Sequence, residues 1–203
     1  MHPLKPFALL LLPAVHALVQ LGTLTYEPFD VITSAPFPWE ELRGLQVPAE
    51  TKITLHMPLA YGDQEAYERR MLTSNDPNNP DYGKLIGPEE LDLMLGPTHE
   101  TYETVVAWLR LFGILEDQLK LKYDWLSFET TVGKAEELLK AKYRWYVNHR
   151  NGDQITLRCL GYSLPREVRG MVRFVQPTTL FATRVGEWEG EGKEHFLYKH
   201  FDA

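Results

Sequence analysis

Apolar and polar side chains alternate regularly near the start of the patterned part of the chain. Ile53, Leu55 and Met57 are separated by polar residues, which is the period of a strand with one buried face. Two later stretches are rich in apolar and aromatic residues and meet near Asp124, where a turn is expected. We predict strands over 51–59, 115–123 and 125–130.

Four further segments carry the signals that start or stop helices. Asp63, Thr98 and Thr131 precede three of them and belong to the residue types that cap helix N-termini. Pro88 opens the fourth at the first helical position, where its missing N–H is not needed. Gly113 stands where the left-handed residue after a helix is expected. We predict helices over 63–73, 87–95, 98–113 and 131–139.

Asn151-Gly152 is the strongest short hairpin signal in the chain. It separates two stretches with the composition of strands, 144–149 and 154–160. Beyond Pro165 a short turn or helix is followed by a last apolar stretch at 172–175. The predicted order is strand, helices, two strands, helix and paired strands. Helices packed on one face of an antiparallel sheet give an α+β fold of the ferredoxin-like type.

The two ends of the chain differ from this patterned middle. Residues 1–17 have a basic and then apolar start with small residues before position 18, so we predict a secretory signal peptide cleaved after Ala17. The alternative is a membrane anchor, but the apolar run is far shorter than the roughly 20 residues that span a bilayer. The Pro-rich residues 18–50 are predicted to form a partly extended, loosely packed lead-in. The domain is predicted to cover 51–176, and the polar, Gly-rich residues 177–203 to form a linker or tail.

The net charge of the chain argues against one class of partner, nucleic acid. The formal net charge is −7, and phosphate binding needs a clustered excess of Lys and Arg, so nucleic acid is not an expected partner. Hydrophobic residues make up 44% of the sequence, which is enough for an ordinary core. Cys159 is the only cysteine in the sequence, so an internal disulfide is not possible and we predict a small buried side chain.

Side chains that could bind a metal or titrate are scattered along the sequence. His56, His99 and His149 do not have the spacing of metal ligands, and no metal or cofactor is expected. As a group, these histidines can take up charge between pH 7 and 5. Four aromatic residues are predicted to be core, with a binding groove as the alternative: Trp125, Phe128, Trp145 and Tyr146.

Five short elements carry a resemblance to a known family through their shared order. They are Pro80–Gly83 (Pro-Asp-Tyr-Gly), Trp125–Leu126, Ala135–Leu139, Tyr162–Pro165 and Gln176–Phe181. In this order they resemble the activation prodomain of the sedolisins, the acid-acting serine-carboxyl peptidases that include tripeptidyl peptidases. The resemblance covers roughly residues 53–181 and implies the same ferredoxin-like fold.

The resemblance also implies a chain without catalytic residues. A sedolisin uses a Ser nucleophile in a Gly-Thr-Ser-rich turn, a Glu base and an Asp that stabilises the oxyanion. None of the four serines of this sequence lies in such a turn. These are Ser34, Ser74, Ser127 and Ser163. We therefore expect no peptidase activity from this chain.

The partner implied by the resemblance is the catalytic domain of a sedolisin-type peptidase, in cis or in trans. In that family the prodomain assists folding of the peptidase and blocks its cleft until acid processing. The resemblance thus implies a secreted chaperone and pH-dependent inhibitor that does not contact a membrane after signal removal. The candidate segment that enters the cleft is Pro177, Thr178, Thr179, Leu180 and Phe181, with a simple turn at the domain end as the alternative.

Three interpretations stay open at the level of sequence. The chain is the prodomain of an incompletely encoded precursor, a free-standing peptidase inhibitor, or a secreted interaction domain that reuses the fold. The expectation of a truncated precursor rests on residues 187–203, which do not resemble the family.

Overall fold

A computed structural model describes residues 24–181, and all structural statements below refer to that range. The predicted signal peptide, the cleavage position at Ala17 and the residues after Phe181 lie outside it. The strands are β1 (Tyr26–Val31), β2 (Trp39–Glu41), β3 (Lys52–Pro58), β4 (Lys120–Lys122), β5 (Trp125–Thr131), β6 (Arg144–Asn148), β7 (Gln154–Arg158) and β8 (Gly161–Pro165). The α-helices are α1 (Gln64–Asn75), α2 (Pro88–Leu95), α3 (His99–Leu111), α4 (Val132–Leu139) and α5 (Arg166–Arg169). The α+β class is confirmed.

The helices begin where capping side chains are available. Asp63, Thr98 and Thr131 each accept a hydrogen bond from the backbone N–H three residues later, at 2.8, 3.1 and 3.4 Å. Each bond satisfies a backbone donor that the first turn of a helix leaves unpaired. Gly113 follows α3 with a φ of 73°, a conformation that costs glycine little. These sequence signals are therefore confirmed at the level of single residues.

The central sheet has the antiparallel order β3-β5-β4. Lys52 to Pro58 pair with Thr131 to Trp125 without interruption. On the other side of β3, His56 and Gln176 exchange two backbone hydrogen bonds of 2.8 and 2.9 Å. A second isolated bridge joins Leu59 to Val172, so the segment 172–176 runs along β3 as a fourth, irregular strand.

This placement bears on the predicted ferredoxin-like arrangement. Such a fold places its last strand beside its first, with the helices on one face. The segment 172–176 occupies that position, but it is joined by two bridges and not by a continuous ladder. The remaining strands form two smaller sheets, β2-β6-β7 and β1-β8. The ferredoxin-like detail therefore stays a prediction.

The main core lies on the inner face of the central sheet. Leu55, Met57 and Leu126 have no exposed surface, and Phe128 is 2% exposed. Helices α3 and α4 supply the opposite side with residues spaced three and four apart, so that each helix buries one stripe. The buried residues of these helices include Val105, Trp108, Leu109, Ala135, Leu138 and Leu139.

Within residues 24–50, the predicted lead-in contains two short extended strands that pair with the rest of the domain, and Trp39 is its one buried side chain. Strand β1 pairs with β8, and β2 pairs with β6 through Trp39 and Asn148. A bulge between Pro28 and Asp30 lets a proline lie in the short strand β1. These strands are short, and one is broken by a bulge, so alternation along the sequence is too brief to reveal them. The division of the chain into domains stays a prediction.

A second, smaller hydrophobic cluster involves the end of the described chain. It contains Trp39, Tyr146 and Phe181, with Ile32, Ala35 and Leu160 packed against it. The hairpin that carries Tyr146 turns where the sequence predicted, and Gly152 has a φ of 63°. This cluster therefore joins the N-terminal strands to the last residues of the domain.

Residues 62–96 form a lobe without any buried residue, although they include α1 and α2. Its two ends meet, because the N–H of Gly62 donates to the carbonyl of Gly96 at 3.0 Å. A Cβ on Gly62 would lie 2.5 Å from that oxygen, so only glycine fits the closure. Arg70 and Glu90 link the two helices at 2.9 Å.

Candidate docking surface on the central sheet

The outer face of the central sheet is not covered by the helices, which pack on the inner face. Antiparallel register places directly paired residues on the same face, so side chains form rows across the strands. One row contains Phe174, Pro58, Trp125 and Lys122, because Pro58 pairs with Trp125 and Trp125 pairs with Lys122. The rings of Trp125 and Phe174 meet edge to face at 5.6 Å. This row is a partly exposed aromatic patch that ends in a lysine.

The neighbouring row is polar. It contains Gln176, His56, Ser127 and Lys120, in that order across the sheet. Nδ1 of His56 and Oγ of Ser127 are 2.8 Å apart. Half-burial lowers the pKa of His56 from its usual value of 6.5, because the imidazolium form loses solvation there. Near neutral pH the ring is therefore uncharged at the centre of this face.

The His56 and Ser127 pair resembles the base and nucleophile of a hydrolase, so its surroundings matter. Ser127 lies in β5, the middle strand of the sheet, with partners on both sides. The backbone amides around Ser127 are used by the two ladders and do not converge on a site for an oxyanion. The arrangement fits a structural hydrogen bond on an exposed sheet face.

The outer face carries four charged side chains, of which two lie at its β4 edge. Lys52 and Glu129 form an exposed ion pair at 2.7 Å across β3 and β5. Lys120 and Lys122 are exposed and have no ion-pair partner among residues 24–181. Nζ of Lys122 lies 5.8 Å from the centre of the Tyr123 ring. Two exposed positive charges therefore border the aromatic patch of a chain whose formal charge is −7.

The other chemical groups of interest are not assembled into a site. In the described range, no group of three or more His, Cys, Asp or Glu side chains could hold a metal ion. Burial raises the pKa of the Cys159 thiol to about 12, so the thiol is protonated at neutral pH, and its predicted burial is confirmed. No helix within residues 24–181 is long and apolar enough to cross a bilayer.

Comparison with known proteins identifies the family. The model of the family described as "Pro-kumamolisin, activation domain" matches residues 42–181. The chain belongs to the pro-kumamolisin activation domain family. The match begins ahead of the predicted limit at residue 51 and includes part of the lead-in.

Individual relatives carry the names of tripeptidyl-peptidases. The chain is 32% identical over 153 residues to "Probable tripeptidyl-peptidase SED4" of Arthroderma benhamiae, covering 75% of the chain and 25% of the relative. It is 27% identical over 179 residues to "Tripeptidyl-peptidase SED3" of Arthroderma otae, covering 88% and 30%. It is 35% identical over 105 residues to "Probable tripeptidyl-peptidase SED2" of Trichophyton verrucosum, covering 52% and 17%. The chain thus spans between a sixth and a third of these curated relatives.

The end of this activation domain is packed against the rest of the fold. Thr178, Thr179 and Phe181 are 1%, 8% and 7% exposed, whereas Leu180 is 49% exposed. Three backbone carbonyls of this segment, those of Pro177, Thr178 and Leu180, accept hydrogen bonds of 2.8, 3.2 and 2.8 Å from the domain. Of the five predicted cleft-entering residues, only Leu180 presents a largely free side chain.

Two contacts hold the last residues in place. The hydroxyl of Thr179 donates to the carboxylate of Asp30 in β1. The ring of Phe181 meets that of Tyr146 edge to face at 4.8 Å and that of Trp39 at 5.8 Å.

Sequence reasoning missed this surface as a unit. The sequence predicts a core position for Trp125, with a binding groove as the alternative. The ring is partly buried and lies on the outer face with His56 and Ser127. The available signal was alternation, since Trp125 and Ser127 are two apart, as are His56 and Pro58. The pairing that brings β4, β5, β3 and 172–176 together is set by the tertiary fold.

Proposed function

We propose that this chain acts as the prodomain of a sedolisin-type tripeptidyl peptidase, assisting folding of the catalytic domain and inhibiting it until acid processing. The observation that carries the proposal is the family match over 42–181. The relatives named as tripeptidyl-peptidases have about three quarters of their length outside the matched part. In this proposal the chain itself has no catalytic role, and its partner is a catalytic domain in cis or in trans.

The outer sheet face is the part of the domain best suited to dock on that partner. It combines a partly exposed aromatic pair, Trp125 and Phe174, with polar groups that need not be desolvated completely. Interfaces are commonly anchored by aromatic side chains surrounded by polar groups. We assign the docking role to this face, centred on Trp125.

Blocking of the cleft is proposed to depend on the domain end. Pro177–Phe181 is hydrogen-bonded to the domain. It would therefore set the position and direction in which the polypeptide leaves the domain relative to the docked face. Leu180 is then the residue of this segment able to contact the cleft, and its neighbours serve as anchors. A fixed segment loses less conformational entropy on binding than a free one.

Secretion and release in acid complete the proposal. The signal peptide predicted at 1–17 places the protein outside the cell, where an acid-acting peptidase would work. Protonation of carboxylates at low pH removes ion pairs across an interface, so inhibition should weaken near pH 4. The precursor origin of the chain, truncated or free-standing, does not change this mechanism.

Inhibition of a peptidase tests the proposed function directly. The full chain is added to active peptidase prepared from the Arthroderma benhamiae relative, and tripeptide release is measured at pH 6.5 and pH 4. We expect inhibition at the higher pH and its loss at the lower. The chain alone should release no tripeptide at either pH.

The cleft role of Leu180 has a matched control. Leu180→Ala should weaken inhibition severalfold without loss of binding, whereas Leu93→Ala should have no effect, because Leu93 is an exposed leucine of the lobe. Equal inhibition by both variants would contradict the role given to Leu180. Absence of binding to any of the three relatives' peptidases would favour an interaction domain that reuses the fold.

A further inference from the structure

The β4 edge of the outer face differs in charge from the rest of the domain. Lys120 and Lys122 project from alternate positions of a three-residue edge strand, and both therefore lie on the outer face. Through register they stand beside Ser127 and Trp125, at the ends of the polar and aromatic rows. Two exposed cations are thus placed directly at the border of the candidate docking surface.

The acidic groups of the molecule lie mainly elsewhere. The lobe at 62–96 contains eight acidic and three basic side chains. Around the two lysines, the charged or titratable groups are His56 and Lys52 on β3, Glu129 on β5, Tyr123 and Asp124 at the β4–β5 turn, and Glu116 and Asp117 just ahead of β4. Glu129 is paired with Lys52, Asp124 with Arg173 and Glu116 with Arg110, and no acid among residues 24–181 forms an ion pair with a β4 lysine.

We propose that Lys120 and Lys122 form the rim of the docking surface and pair with a carboxylate-bearing patch on the peptidase catalytic domain. This rests on the proposed function, because the partner is the catalytic domain proposed there. Complementary rim charges guide association and fix register, while the aromatic centre supplies buried area. Both lysines are exposed and form no ion pair within residues 24–181, so their charges are available for that purpose.

The pairing also gives a physical reason for release in acid. Lysine stays charged over the whole range from pH 7 to 4, whereas carboxylates on the partner take up protons as the pH approaches about 4. The ion pairs are then lost from the partner's side of the interface. In this proposal, Lys120 and Lys122 attract the carboxylates of the partner. His56, Lys52 and Glu129 change the electrostatic potential around them.

Charge reversal with a matched control tests the proposal. The double variant Lys120→Glu, Lys122→Glu is compared with Lys134→Glu in the full chain. Lys134 is an exposed lysine of α4, which packs on the opposite face of the sheet, and it has no ion-pair partner in the described residues. Binding to the active peptidase from the Arthroderma benhamiae relative is measured at pH 6.5 in low salt and in 0.5 M salt.

The double variant should bind about tenfold more weakly than the parent in low salt, and the difference should shrink to about twofold in high salt. Lys134→Glu should stay within about twofold of the parent. The parent should lose affinity between pH 6.5 and pH 4 more steeply than the double variant. Circular dichroism and thermal unfolding confirm that both proteins fold, which is expected because the three side chains are exposed.

Other outcomes overturn the proposal. If the double variant binds like the parent, the lysines are not part of the interface, although Trp125→Ala can still show that the face docks. If Lys134→Glu weakens binding as much as the double variant, the effect is not specific to the β4 lysines. If the parent does not bind at all, the proposed function fails, and the partner assigned here fails with it.

Discussion

The two faces of the central sheet are made by alternate residues of the same strands, yet they have different chemistry. On the inner face, Leu55 and Met57 are fully buried beneath α3 and α4. On the outer face, Thr54 is exposed, and His56 and Trp125 are partly buried. The inner residues stabilise the domain, so their chemistry is constrained by packing. The outer residues keep part of their surface exposed, and this is the surface that the proposed docking uses.

Substitution within β3 should show the largest difference between the two faces. Leu55→Ala removes a fully buried side chain and should lower the free energy of unfolding by about 4 kcal/mol, since a cavity is left in the core. Thr54→Ala, one residue away on the outer face, should change it by less than about 1 kcal/mol. Urea unfolding followed by circular dichroism gives both values, and similar costs would contradict the assignment of the faces.

Substitution in the aromatic cluster at the domain end should have the second largest effect on stability. Phe181→Ala should cost about 3 kcal/mol, because the ring is 7% exposed and contacts Tyr146 and Trp39. Leu180→Ala, at an exposed neighbour, should cost less than about 0.5 kcal/mol. Chemical unfolding of the full chain is the measurement. A negligible cost for Phe181→Ala would mean that the domain end is not part of the cooperative fold.

Trp125 should separate stability from binding. Trp125→Ala removes a partly exposed ring and should cost only about 1 kcal/mol of stability, through lost contact with Phe174. Affinity for the peptidase should fall about tenfold or more, since aromatic anchors dominate interfaces. Trp125→Phe is the conservative control and should recover part of the affinity. A large loss of stability with unchanged affinity would place Trp125 in the core and not in the docking surface.

The smallest effect concerns pH. Half-burial lowers the pKa of His56 in the folded state, so the unfolded state takes up a proton first as the pH falls below about 6.5. The stabilising contribution of the neutral ring is therefore complete above that pH and is lost as the pH falls through 6.5 towards the lower folded-state pKa.

His56→Gln should remove this part of the acid sensitivity. Unfolding free energies at pH 7.5 and pH 5.5 should fall more for the parent than for the variant. Measurement at pH 7.5 alone gives the cost of the altered hydrogen bond to Ser127, which must be subtracted. An equal fall in both proteins would show that His56 does not contribute to the pH dependence.

Sequence patterns were informative where the signal is local. Alternation from Ile53 to Met57 predicted β3, and capping residues such as Thr98 predicted helix starts, because both depend on contacts within a few residues. The hairpin at Gly152 follows from the same kind of local preference. In these cases the residue type decides the backbone conformation nearly independently of the rest of the chain.

Local patterns were misleading where pairing is distant. Strands β1 and β2 lie in a Pro-rich stretch and form only because β8 and β6 provide partners more than a hundred residues away. The segment Pro177–Phe181 was predicted to lie outside the domain, beginning a linker. Its packing against Trp39 and Tyr146 depends on β2 being in place, which no nearby residue signals.

The sequence by itself determined the α+β class, most element positions and the resemblance to a sedolisin activation prodomain. These depend on short-range periodicity, capping and the order of short motifs, all of which can be recognised within short stretches of sequence. Only the tertiary structure decided that Trp125, His56 and the lysines of β4 share the outer face of the central sheet. The physical reason is the register of the strands. Alternation along one strand fixes the face on which a side chain lies. Its neighbours on the adjacent strands depend on the pairing that buries the apolar side chains of the opposite face.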